Sequence, residues 1–189
     1  MCIRDSLTAF LSKDKDFTTD QNVVTLYVPE NTKFQNATLN SALGNILLNH
    51  VCFESGTVSS GDGDIFIKNS TLKEVAVSAS LGDVKTYDSK IKTCNFVLSD
   101  GDFTAKNNEF TGETLINDDL GNIEVQGSKK QWSSLGVDAS TDLGDIEVSE
   151  TLEGTLKEKD SDESEYQRSG KNGKVKLHAE DGDITMKCN

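Results

Sequence analysis

The sequence predicts an all-β fold, a single-stranded parallel β-helix (a β-solenoid) wound in coils of about 19 residues. Three observations predict it. A phrase of Gly, then Asp or Asn, then a β-branched or aromatic residue returns seven times, and its glycine numbers rise by 19, 19, 19, 20, 23 and 38. Apolar and polar residues alternate on both sides of that phrase, the mark of a strand with one buried face. Proline occurs once, as expected where nearly every backbone amide serves a ladder. A fixed period near twenty means stacked units that bury their apolar faces only against their neighbours.

In chain order, the first turn is Gly44-Asn45-Ile46. The second, Gly63-Asp64-Ile65, leads into the strand Ile65-Phe66-Ile67. Val75-Ala76-Val77-Ser78 approaches Gly82-Asp83-Val84, and Gly101-Asp102-Phe103 follows. After Gly121-Asn122-Ile123 the alternation resumes as Ile123-Glu124-Val125. Leu135-Gly136-Val137-Asp138 approaches Gly144-Asp145-Ile146, which continues as Ile146-Glu147-Val148. The last unit reads Val175-Lys176-Leu177-His178, then Gly182-Asp183-Ile184 and Ile184-Thr185-Met186. No stretch repeats apolar residues at helical spacing for long enough to predict a helix, and Leu7 to Leu11 is too short to count.

Glycine suits the turn because it adopts positive φ without a Cβ clash, and Asp or Asn can bond a neighbouring amide. A β-sandwich of hairpins competes, but its best signal would be Asp-Gly or Asn-Gly. Here the order is mostly Gly-Asp and the residues across the turn repeat, which favours a coil that winds once per unit. Seven coils stacked at about 4.8 Å would make a rod roughly 30 Å long.

The chain has 189 residues, which suits one domain. Aromatic residues at 6% and hydrophobic residues at 34% fit a thin core of Ile, Val and Leu. The formal charge of −13 disfavours nucleic acid and anionic lipid heads as partners. Met1-Cys2-Ile3-Arg4-Asp5-Ser6 resembles the translation of a sequencing-library adapter, so residues 1–6 are set aside. Residues 7–22 then read as the remnant of a truncated N-terminal region, and 23–189 as the solenoid. Within it, a polar insertion at about 157–173 is expected to leave one corner as a surface loop. Cys52, Cys94 and Cys188 are odd in number without metal-like spacing, and they read as isolated thiols. A Cys52–Cys94 disulfide would need adjoining coils to bring the two together.

Val24-Thr25-Leu26-Tyr27-Val28-Pro29-Glu30-Asn31-Thr32-Lys33-Phe34, followed at repeat distance by Gly44-Asn45-Ile46, carries a family resemblance. With the seven turns in register, the chain from Val23 to Met186 resembles a bacterial adhesin-like β-strand-repeat domain family of unknown function, related to auto-transporter adhesin head domains. The departures are Asn45 and Asn122 and the long spacings after Gly121 and Gly144. The resemblance implies a right-handed parallel β-helix in an extracytoplasmic, envelope-associated or surface-exposed protein, held to the membrane only through a missing N-terminal anchor. It brings no catalytic residues.

The residues themselves point away from an enzyme. His50 and His178 lie far apart, Arg4 and Arg168 are the only arginines, and Lys129-Lys130 is the only close lysine pair, so no Ser-His-Asp or Cys-His grouping stands out. A polysaccharide-active β-helix would need two carboxylates flanking a groove. The site residues predicted are therefore structural: Gly44, Asn45, Gly63, Asp64, Gly82, Asp83, Gly101, Asp102, Gly121, Asn122, Gly144, Asp145, Gly182 and Asp183. If Asp64, Asp83 and Asp102 stack roughly 5–7 Å apart, each neighbouring pair costs about 0.6–0.8 kcal/mol in water. Calcium could relieve that burden, yet the Gly-Gly-x-Gly-x-Asp repeat is absent, so turn capping is the expectation and no cofactor is predicted. Two functions remain open: a display or binding module for a protein or glycan, and an envelope-stress sensor that binds a protein or peptide. For the latter, Ile184-Thr185-Met186-Lys187 would offer an open strand edge. Tyr27, Tyr87, Trp132 and Tyr166 share no repeat offset that would build a glycan-stacking column. Oligomeric state stays open.

Overall fold

A computed structural model describes residues 29, 32–158 and 163–189. The Val23–Val28 lead-in, Tyr27, the Leu7–Leu11 stretch and the segments 1–6 and 7–22 lie outside the described residues. The described residues are built almost wholly of strands, and nearly all pair in parallel. Each early layer has three strands: β1 (Lys33–Phe34), β2 (Ala37–Leu43) and β3 (Ile46–Asn49) in the first. The second has β4 (Cys52–Phe53), β5 (Gly56–Asp62) and β6 (Ile65–Lys68). The third has β7 (Thr71–Lys73), β8 (Val75–Leu81) and β9 (Val84–Tyr87), and the fourth β10 (Lys90–Lys92), β11 (Asn95–Asp100) and β12 (Phe103–Lys106). In the fifth, β13 (Glu109–Leu120) turns one corner within itself at Gly112, φ 69°, and β14 (Ile123–Gly127) completes the layer.

Alternation decides which side of each strand is buried. Ile65 and Ile67, Val84, Phe103 and Ile123 face inward from one column to the next, and all are fully buried. Along the first face the inward column is Phe34, Phe53, Leu72, Ile91 and Phe110. At one corner buried polar residues bond one another from layer to layer. Val51 N–H donates to Ser70 Oγ at 3.2 Å, Ser70 N–H to Ser89 Oγ at 3.1 Å, and Ser89 N–H to Asn108 Oδ1 at 2.9 Å. Such a ladder meets the requirement that buried amides be paired.

Beyond β14 the layers cease to follow chain order. A short helix, α1 (Lys129–Trp132), opens on a capping box: Ser128 Oγ accepts from Gln131 N–H, and Gln131 reaches back to Ser128. This one turn is the helix that periodicity does not predict. The chain then lays down β15 (Leu135–Leu143) and β16 (Ile146–Val148). The strands β17 (Thr155–Glu158) and β18 (Ser164–Arg168) pair antiparallel, and β18 also covers the edge of β15. The segment expected as a surface loop is thus partly a capping strand. The reason is Ser164 and Tyr166, which alternate inward among charged neighbours; Tyr166 is buried and its hydroxyl donates to the Glu153 carbonyl at 3.2 Å.

Finally β19 (Gly173–Asp181) and β20 (Ile184–Cys188) return between the two preceding layers. β19 pairs with β13 on one side and β15 on the other, and β20 lies between β14 and β16. Two expectations are corrected here. Windings are not each roofed by the next in sequence, because the last layer is interleaved. The Ile184–Lys187 strand is therefore interior to its sheet and not an open edge, since both its neighbours supply hydrogen-bonding partners. Lys187 Nζ instead pairs with Glu124 across the seam at 2.8 Å.

Candidate functional site: the glycine ridge and the groove beside it

All seven predicted turns line one ridge, in the spatial order Gly44, Gly63, Gly82, Gly101, Gly121, Gly182, Gly144. Gly63 has φ +138°, and a Cβ there would lie 2.6 Å from the Gly44 carbonyl carbon, so the close approach of layers requires glycine. Beside the glycines runs an unbroken amide ladder. Asp64 N–H donates to Asn45 Oδ1 (2.8 Å), Asp83 N–H to Asp64 Oδ1 (2.9 Å), and Asp102 N–H to Asp83 Oδ1 (3.0 Å). It continues from Asn122 N–H to Asp102 Oδ1 (2.8 Å), Asp183 N–H to Asn122 Oδ1 (2.9 Å) and Asp145 N–H to Asp183 Oδ1 (2.8 Å).

The ladder bears on the calcium reading of Asp64, Asp83 and Asp102, because each already spends a carboxylate oxygen on the next layer. The other oxygen of Asp83 receives Lys85 Nζ at 2.6 Å. Burial would raise the Asp83 pKa, but Lys85 and the Asp102 amide outweigh it and hold the carboxyl below its usual range. Among the described residues, no three or more His, Cys, Asp or Glu side chains are grouped to hold a metal ion. Cys52, Cys94 and Cys188 are free thiols.

Sequence reasoning missed the column immediately before the glycines. In space it reads Leu43, Asp62, Leu81, Asp100, Leu120, Asp181, Leu143, a strict alternation. The four leucines are 80%, 52%, 53% and 53% exposed in that order. Read along the chain the alternation breaks, because Leu143 follows Leu120; interleaving places Asp181 between them and restores it. Placing like charges two layers apart instead of one lowers each repulsion from about 0.9 to about 0.4 kcal/mol in water. The aspartates also prevent a continuous apolar stripe, which would invite aggregation.

Beneath the ridge lies Asp118, 1% exposed, with neither carboxylate oxygen hydrogen-bonded among the described residues. Its column is Ser41, Ser60, Ala79, Leu98, Asp118, Ala179, Thr141. At equivalent places Ser60 Oγ donates to the Gly44 carbonyl (3.4 Å) and Thr141 Oγ1 to the Gly182 carbonyl (2.9 Å). A carboxylate has no proton to donate there. Burial, then the charges of Asp102, Asp119, Asp100 and Asp83, push its pKa up to about 7.

The structure also brings Ser140 Oγ to 3.0 Å from His178 Nδ1 across neighbouring strands. Their separation of 38 positions hid the pair in the sequence. It sits on an outward sheet surface, as a cross-strand contact, while His50 lies exposed at a corner with φ 55°. Lys129 and Lys130 belong to α1.

A groove of about 600 Å³ opens where the chain leaves the fifth layer, bounded by Phe110, Val125, Gln131, Trp132, Leu135 and Asn172, among others. No curated protein and no solved structure matches the chain. The family profile described as Toastrack DUF4097 matches residues 7–187, and the chain belongs to that domain family of unknown function.

Proposed function

We propose that this Toastrack chain is a non-catalytic scaffold of the bacterial cell envelope, adhesin-like, that displays a binding ridge to a protein partner. In this reading the solenoid is right-handed, with the 19-residue coil that its inter-layer hydrogen bonds repeat. The observation that carries it is the exposed Leu–Asp column running through all seven layers. Leucines about 9.6 Å apart, with carboxylates between them, present regularly spaced apolar contacts inside an acidic frame. A protein surface with apolar and basic side chains at matching intervals is its complement. A glycan is a poorer fit, because among the described residues no aromatic column accompanies the ridge. The envelope location rests on the family resemblance of the repeats.

Two measurements test the reading. Intact cells expressing the complete gene with Leu120→Cys should be labelled by a membrane-impermeant maleimide, and labelling only after lysis would contradict a surface position. Adhesion of those cells to protein-coated surfaces should fall with Leu81→Glu plus Leu120→Glu, with circular dichroism unchanged. Unaltered adhesion would remove the ridge from binding.

A further inference from the structure

We propose that two copies of this chain join through β17, each Leu156 abreast of the Leu156 of the second copy, in an antiparallel two-fold pair that makes one sheet of both solenoids. This contact is separate from the Leu–Asp ridge and does not depend on it.

On the second face every strand from β5 to β18 has a neighbour on both sides. The face ends at β17. Residues Thr155–Glu158 pair with β18, and among the described residues no strand pairs with their other side. Thr155, Leu156 and Lys157 are all exposed, as an uncovered edge requires. An edge of this kind is a template for pairing with another chain.

The edge is also held in place. A Cβ on Gly154, just before β17, would overlap the Tyr166 hydroxyl, so the chain packs against that ring. The same hydroxyl donates to the Glu153 carbonyl at 3.2 Å, and Tyr166 is itself buried. A strand anchored in this way costs little further ordering when it takes a partner.

Side chains select the occupant and its register. Leu156 ends the inward column of the second face, abreast of Tyr166. From Val58 through Phe96, Ile116, Leu177 and Ala139 to Tyr166 the column is buried, but Leu156 is 46% exposed. A pair centred on Leu156 sets that side chain against its own kind and carries the apolar column from one copy into the next. Lys157 then lies abreast of Thr155 of the second copy. A centre on Lys157 would oppose two ammonium groups directly, which is unfavourable. A centre on Thr155 would set Leu156 against Gly154. A centre between residues would turn the apolar side of one copy against the outer side of the other, because side chains alternate along a strand.

One strand a side is a small contact beside those of stable dimers, so the association is weak and depends on concentration. It serves where copies are crowded together. Second-face strands run in opposite directions in the two copies, so the two glycine ridges lie along opposite margins of the joined sheet. Each copy carries a formal charge of −13, so their repulsion falls, and pairing strengthens, as salt is added.

Sedimentation of the full chain from micromolar to millimolar concentration should show a monomer giving way to a dimer, and more dimer in high salt. Leu156→Lys places like charges abreast at the two-fold and should weaken the dimer about tenfold or more, with the melting temperature unchanged. A second variant does not rely on that one folding well. With Cys2, Cys52, Cys94 and Cys188 changed to serine, Leu156→Cys should give a disulfide-linked dimer under mild oxidation, since strand partners lie within disulfide reach. A chain that stays monomeric at millimolar concentration would overturn the proposal. So would a dimer equally strong in Leu156→Lys, or one that cross-links through Leu120→Cys on the ridge and not through Leu156→Cys.

Discussion

Layers one to five and the segment after Gly127 obey the same repeat but different rules of assembly. From Lys33 to Gly127 each layer rests on its sequence neighbour, with paired residues mostly 19 apart. After Gly127 the chain overshoots by one layer, caps itself with β17 and β18, and comes back to fill the gap. The comparison teaches that a repeat specifies the kind of layer, while side-chain columns specify its place. Both the Asn–Asp amide ladder and the Leu–Asp column are continuous only when the last layer sits inside.

The largest expected effect is at the seam. Gly182 has φ +157°, and a Cβ on it would overlap the Gly121 carbonyl, so Gly182→Ala should cost about 3 kcal/mol or more in urea unfolding. Gly44, in the first described layer of the same ridge, has among the described residues only Ser41 Oγ within 4.0 Å of such a Cβ. Gly44→Ala should therefore cost about 1 kcal/mol, from its positive φ alone. Equal costs would mean that the seam is not packed as described.

Asp118 sharpens the comparison next, because it occupies the layer against which the returning strands close. Its folded pKa of about 7 stands above the unfolded value of 3.8. The unfolded chain thus loses this proton first as pH rises, and stability from Asp118 is full below about pH 4, declines up to about pH 7 and is gone above it. The ceiling on that loss is about 4 kcal/mol. Asp118→Asn keeps a donor for the turn carbonyl without charge. Relative to the parent it should gain about 2–4 kcal/mol at pH 8 and little at pH 4. A difference independent of pH would contradict a buried, unpaired carboxylate.

The smaller effects concern features shared by both regions. Lys187→Ala removes the ion pair to Glu124 across the seam, and Lys73→Ala removes one to Glu54 at 2.8 Å in the ordered region. Each should shift the melting temperature by about 2 °C or less, and the two should agree. Millimolar calcium should leave the midpoint unchanged, since Asp64, Asp83 and Asp102 each cap the amide of the next layer. A clear rise would restore the metal reading of Asp64, Asp83 and Asp102.

The kind of layer is legible in the amino-acid sequence. Glycine at a fixed interval marks a corner where layers approach too closely for a side chain, and strand alternation such as Ile65-Phe66-Ile67 marks the buried side. Order in space is not legible from the interval of 38, because a doubled period fits an insertion and an interleaved layer equally. The sign that distinguishes them is Leu120 and Leu143, two leucines in succession where the column demands an aspartate between. The helix escapes notice for want of length, although Ser128 and Gln131 spell a capping box. Residues Ser164 to Arg168 are hidden by their charge, since β18 buries only Ser164 and Tyr166. Asp118 gives no sign, because one carboxylate in an acidic chain looks like any other until its column is known.

Cross-linking tests the interleaved order most directly. In a background with Cys2, Cys52, Cys94 and Cys188 changed to serine, Glu124→Cys with Thr185→Cys places thiols on register partners of β14 and β20. Adjacent parallel strands lie about 4.8 Å apart, within disulfide reach, whereas Glu124→Cys with Glu147→Cys spans two layers, about 9.6 Å. The interleaved order predicts rapid oxidation of the first pair and none of the second. Cross-linking of the second pair alone would contradict it.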